Sequence, residues 1–127
     1  MNGYHGAIEE LTLNNSFFRH VLYTGKYTQL VLMSLKPKEE IGAEVHETVD
    51  QFFRFERGEG KVIIGKEEYH VKDGDVIIVP AGSLHNIVNL SENEDLKLYT
   101  LYSPPNHPNG TIHKTKEEAD KAERDEH

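Results

Sequence analysis

Cysteine is absent from this 127-residue chain, so no disulfide can brace the fold and no thiolate can serve as nucleophile or metal ligand. Basic residues are in deficit, 14 against 22 acidic ones, for a net charge of -8. A nucleic-acid partner calls for a basic stripe, so that class of function is excluded, while the acidic balance favours solubility. Long hydrophobic runs are also missing. Apolar runs such as residues 62–64 and 76–80 are far too short to cross a bilayer. Residues 1–6 lack the basic and apolar stretches of a secretory signal, which predicts a cytoplasmic protein with no membrane partner. No glycine-rich phosphate loop, serine-nucleophile motif or paired-cysteine site occurs. Any bound metal must therefore be held by carboxylates, amides and some of the eight histidines.

The chain has a dense series of strand signals. Residues 17–24 and 27–35 are rich in β-branched and aromatic side chains, with Gly25 and Lys26 as a hairpin turn between them. Further strands are predicted at 51–56, 59–65, 67–71, 75–79, 84–90 and 96–102. Glycine, proline and Asx-type turn residues separate nearly all of them. Short strands at this spacing imply an all-β sandwich or barrel rather than alternating β and α units. Residues 103–110 contain three prolines and can be neither strand nor helix interior. Beyond them, Thr115 followed by Glu118 has the spacing of a capping box, predicting a short, highly charged helix through Glu123. The whole chain, 1–127, reads as one domain with its barrel core at about 17–102.

Two segments could carry chemistry. From Gly74 to Asn89 the chain reads as turn, buried strand, tight turn at Pro80 to Gly82, and a new strand opening near His85. On that strand His85, Ile87 and Asn89 share a face, because side chains alternate with period two. A lone histidine there is most simply a hydrogen-bonded core residue. Upstream, however, Glu44 and His46 share a face if that segment is extended, and Gln51, Phe53 and Phe55 share the inward face of the next strand. These strands could bring Glu44, His46, Gln51 and His85 to one point, with Phe53, Phe55 and Ile87 as the apolar wall of a ligand pocket. His107 and His113 are read as turn residues in or beside the proline-rich segment, with a place over the barrel mouth as the alternative. Arg54 is directed outward by alternation. Tyr23, Tyr99 and Tyr102 are read as core or rim residues.

The segment Gly74, Pro80, Gly82, His85, Asn89 matches the second cupin motif, Gly-x5-Pro-x-Gly-x2-His-x3-Asn, at every defined position. The first cupin motif, His-x-His-x4-Glu-x6-Gly, is met in altered form as Glu44-x-His46-x4-Gln51-x6-Gly58, and Gly42 is too close to stand for its leading glycine. The chain thus resembles the cupin superfamily over about residues 42–89. Its tail from Tyr102 to His113 resembles small single-domain bacterial cupins labelled mannose-6-phosphate isomerase-like. The resemblance implies a double-stranded β-helix, or jelly-roll barrel. It also implies one divalent metal ion (Mn, Fe, Ni, Co or Zn) held by Glu44, His46, Gln51 and His85. Two imidazoles and one carboxylate is also the composition of non-haem iron sites. Two functions follow as expectations: a metal-dependent isomerase or oxygenase acting on a small molecule, or a metal-free module that binds a sugar-like ligand without turnover. A homodimer is expected, because cupins of this kind pair and because residues 17–35 are too apolar for an open sheet edge.

Overall fold

Alternation of apolar and polar side chains dictates most of the architecture. In the computed structural model, which describes residues 2–125, a helix α1 (Ile8–Asn14) precedes eight strands. These are β1 (Arg19–Thr24), β2 (Gln29–Leu35), β3 (Asp50–Arg57), β4 (Glu59–Ile64), β5 (Glu67–Lys72), β6 (Val76–Val79), β7 (His85–Asn89) and β8 (Leu96–Ser103). A two-residue strand β9 (Ile112–His113) and a helix α2 (Lys116–Asp125) follow. The strands form two antiparallel sheets, of order β6-β3-β8-β2-β1-β9 and β5-β4-β7.

The inward faces of the two sheets make one core. On β3 the alternation buries Gln51, Phe53 and Phe55; on β7 it buries His85, Ile87 and Asn89; on β8 it buries Leu96, Leu98, Thr100 and Tyr102. Phe53 and Phe55 are fully enclosed and stack with ring centroids 6.4 Å apart, and truncating either would cost about 3–5 kcal/mol. Gly58 is required where β3 passes to β4. Its φ is +112°, and a Cβ there would lie 3.0 Å from the Asp95 carbonyl oxygen. Asn89 ties the far end of the barrel together, its amide donating to the carbonyls of Leu35, Lys36 and Glu94.

The predicted strands fall on the observed ones within about two residues. The hairpin turn is longer than predicted: residues 25–28 separate β1 from β2, with Gly25 N–H donating to the Thr28 carbonyl. Residues 17–35 form an edge only in part: Val21 N–H still donates to the Thr111 carbonyl, and beyond it, among the described residues, 22–24 have no strand partner on the outer side. Strand β2 lies between β1 and β8, and β1 is paired on its other side by β9 at Arg19 and His20. Helix α2 begins as its capping box predicts, with Glu118 N–H donating to Thr115 Oγ1 and Glu118 Oε2 accepting from Lys114 N–H. Its buried Ala119 joins the core. Helix α1, absent from the sequence expectations, packs on the outer face of β2, β3 and β8. Among the described residues no helix is long and apolar enough to cross a membrane. Residues 1, 126 and 127 of the predicted domain lie outside those described.

Candidate metal centre and ligand cavity

Backbone pairing brings the central residues together. Glu44 sits directly opposite His85 in an isolated antiparallel bridge, with Glu44 N–H donating to the His85 carbonyl (2.9 Å) and His85 N–H to the Glu44 carbonyl (3.0 Å). Directly opposed residues project to the same side of a sheet. His46, two residues on, projects the same way, and its carbonyl accepts from Gly82 N–H in the turn that precedes β7. Glu44, His46 and His85 each offer a ligand atom, and these atoms lie within 4.8 Å of one another.

The hydrogen bonding fixes what those atoms are. His85 Nδ1 lies 3.0 Å from the Ser83 carbonyl oxygen. A carbonyl only accepts, so Nδ1 carries the proton and, in the neutral ring, Nε2 presents a lone pair. That Nε2 is buried without a hydrogen-bond partner and faces Glu44 Oε1 at 3.9 Å. His46 Nε2, also buried and without a well-aligned partner, lies 3.4 Å from the same oxygen. The two imidazoles are 5.3 Å apart between centroids. A carboxylate oxygen and an imidazole lone pair aimed at each other leave a need for a cation, and a carbonyl that holds the other ring nitrogen, as Ser83 does for His85, is what orients a metal-binding histidine. The donor set fits a divalent ion.

Gln51 is almost wholly enclosed on the inner face of β3, in register with Tyr102 of β8, whose ring is edge-on to His46. Its Nε2 donates to Thr100 Oγ1 at 3.0 Å, and its Oε1 is buried without a hydrogen bond of good geometry. The structure therefore brings together three of the four predicted ligands, with Gln51 beside them on the barrel wall. Phe53, Phe55 and Ile87, expected to wall the pocket, instead fill the core and do not line the cavity. Phe53 supports His85 from within, ring to ring at 6.4 Å. Alternation pointed these side chains inward, but the barrel interior is packed solid beneath its mouth.

The cavity, of about 290 Å3, is lined by Glu44 and His46 together with Arg19, His107, His113 and the face of α2. Of these residues, only His107 and His113 had a place over the barrel mouth among the sequence expectations, as the alternative to a turn role. Tyr102 lies at its base, edge-on to His46 at 5.8 Å and to His107 at 5.0 Å. Burial pushes the Tyr102 phenol up to about 12, a shift that the Arg19 charge opposes and the Glu44 carboxylate reinforces. His107 Nε2 is 3.2 Å from that phenol oxygen, and burial, with the charges of Arg19, His46 and His113, pushes this imidazole down to about 3. The loop carrying His107 is fastened by the buried Gln29. Its Nε2 donates to the His107 carbonyl (2.7 Å) and to Thr24 Oγ1, and its Oε1 accepts from the Asn106 and His107 N–H groups.

The jelly-roll sheets and this histidine-carboxylate centre at one end of the barrel define a cupin. Residues 31–102 match the Cupin domain family, and the chain belongs to it. The chain is 49% identical over 122 residues to the uncharacterized protein YrkC of Bacillus subtilis, covering 91% of this chain and 65% of that protein. It is 45% identical over 108 residues to an uncharacterized protein of Acanthamoeba polyphaga mimivirus, covering 83% of this chain and 68% of that one. The chain thus spans about two thirds of the length of these curated relatives. The crystal structure of BH2720 from Bacillus halodurans is similar with a TM-score of 0.92 and 41% identity, over 94% of this chain and 95% of that one.

Proposed function

We propose that this cupin binds one divalent metal ion through Glu44, His46 and His85, with Gln51 Oε1 as a fourth oxygen donor, and holds a small-molecule ligand in the adjoining cavity. The observation that carries this reading is the facing of three acceptor atoms within 4.8 Å, with the His85 tautomer fixed by Ser83. Mn, Fe, Ni, Co and Zn all accept such ligands. The ion would supply Lewis acidity, or one-electron chemistry if it is iron. The chain's own residues have separate tasks. Tyr102 keeps its proton and offers a buried O–H, Glu44 can accept a proton when not ligating, and α2 and the His107 loop restrict water. This arrangement suits an isomerase or an oxygenase of the small cupin type.

The second reading, a metal-free binding module, is favoured by the 3.4 Å approach of Glu44 to His46, which a protonated imidazole would turn into an ion pair. Elemental analysis of protein purified without added metal decides between them. The expected result is a divalent ion near one per chain in the wild type, its loss in His46→Ala and His85→Ala, and a melting temperature that falls with chelator and recovers on reloading. A wild type that takes up none of the five metals ends the metal reading.

The chain is further proposed to act as a single cytoplasmic domain that pairs as a homodimer. An apolar row on the outer face of the larger sheet supports the pairing: Ile78, Phe52, Leu101 and Leu30 are cross-strand neighbours, all at least partly exposed.

A further inference from the structure

Arg19 is the unusual residue of the cavity. It lies on β1, and with His113 on β9 it falls outside the segment that matches the cupin family. It is 8% exposed, yet among the described residues no carboxylate lies within 4.0 Å of its guanidinium. A buried guanidinium without a counter-ion is costly, because desolvation is not offset by an opposite charge. Its position is nonetheless tightly set. Arg19 and His113 are register partners across β1 and β9, and Arg19 Nη1 donates to His113 Nδ1 at 3.1 Å. Arginine has five donors and no acceptor, so the imidazole can only accept here, and it holds the guanidinium plane. The guanidinium also has a hydrogen-bond contact to the Tyr102 phenol, yet among the described residues its Nε is buried without a hydrogen-bond partner, which leaves part of its donor capacity unused on a residue that lines the cavity.

The geometry points to an oxyanion seat: Arg19, oriented by His113, receives a carboxylate or phosphoryl group of a small ligand whose other end reaches Glu44 and His46 in the same cavity. The planar guanidinium fork matches both groups, and a charge-assisted bidentate pair gives orientation as well as affinity. The cavity, at about 290 Å3, stands at the small end of ligand sites, which run from ~300 Å3 upward. A compact anion with a second oxygen function fits this chemistry. Among the described residues the acids on the lining are Glu44, which belongs to the cluster, and Glu123, which is exposed on α2. The placement of the ligand's second end rests on the metal reading above; the seat on Arg19 does not.

Calorimetric titration of the purified, metal-reloaded protein with malonate, with inorganic phosphate and with uncharged malonamide tests the seat. The expected result is saturable binding of at least one anion, at least tenfold tighter than malonamide. Arg19→Gln should weaken that anion about tenfold or more while metal content stays at the wild-type level. Arg19→Lys, which keeps the charge and loses the fork, should fall between them and guards against a folding defect in the first variant. Whichever of malonate and phosphate binds more tightly identifies the group that the seat receives. Anion binding that persists in a wild type found to hold no metal supports the seat and removes the metal reading alone. Equal binding of malonate and malonamide, undiminished anion binding in both variants, or no anion binding by the wild type overturns the proposal.

Discussion

Gln51 and His107 show how one side chain can set the properties of the whole centre. Gln51 stands where the family's first motif carries glutamate, and it is 2% exposed. Restoring the carboxylate with Gln51→Glu should have two opposed effects. Without metal, the new buried charge has no cationic partner and should destabilise the fold by a few kcal/mol. With metal, the same oxygen becomes an anionic ligand, and affinity should rise on the order of tenfold. Melting curves with chelator and with added metal would show the gap between the two states widen; an unchanged gap would remove Gln51 from the ligand set. His107 makes a pH prediction. Its imidazole is pushed down to about 3 from 6.5, first by burial and then by the charge of Arg19. Between those values the unfolded chain binds the proton and the folded chain does not. The His107 contribution to stability is therefore complete above about pH 6.5 and lost as the pH falls toward 3, at a slope approaching ~1.4 kcal/mol per pH unit. His107→Gln should flatten the stability profile in that window by up to one proton, and parallel profiles for variant and wild type would refute the assignment.

At the scale of elements, the strands and the capped helix α2 were legible, and α1 and β9 were not. The eight long strands follow from period-two alternation and turn residues, which are local signals. Helix α1 has seven residues and no side-chain cap, so nothing local announced it. Strand β9 is two residues long and exists only because β1 offers it an edge. The site divides in the same way. His46 and His85 were visible because fixed spacing beside turn glycines places them. Arg19 could not be found, and a place over the barrel mouth was only the alternative reading of His107 and His113, since the folding of residues 103–125 over the barrel is what makes the cavity. Gln29 is the residue that makes this closure specific. It reaches the His107 loop across 78 positions of sequence with three hydrogen bonds and holds a fourth to Thr24. Gln29→Ala leaves buried backbone groups unpaired and should cost about 2–4 kcal/mol, at roughly 1 kcal/mol per bond. Denaturant melts would give the loss, and amide exchange at Asn106 and His107 should accelerate. Slow exchange there in the variant would mean that the prolines alone hold the loop.

For the whole molecule, the two faces of the larger sheet serve different ends. Its inner face is consumed by the core, with Gln51, Thr100 and Tyr102 among its buried polar members. On its outer face α1 packs over part of β2, β3 and β8, and Lys97 links that helix end to the sheet by donating to the Asn15 carbonyl and to Ser34 Oγ. The row that continues through Leu30, Leu101, Phe52 and Ile78 is half-buried at its first three members, and at its β6 end Ile78 is 63% and Val76 45% exposed. A contiguous apolar strip on a sheet face is the kind of surface that association buries, and a second copy of the chain would bury it twice over by two-fold symmetry. Pairing through this face leaves the barrel mouth open, so ligand access and dimerisation are separable. The expected outcome is a dimer by light scattering at micromolar concentration and a monomer for Ile78→Glu, with metal content and anion binding retained in the variant. A charge set opposite its own symmetry mate is repelled as well as desolvated, so one substitution should suffice. A monomeric wild type would show that the strip is merely exposed, whereas a dimeric Ile78→Glu protein would place the contact on another face.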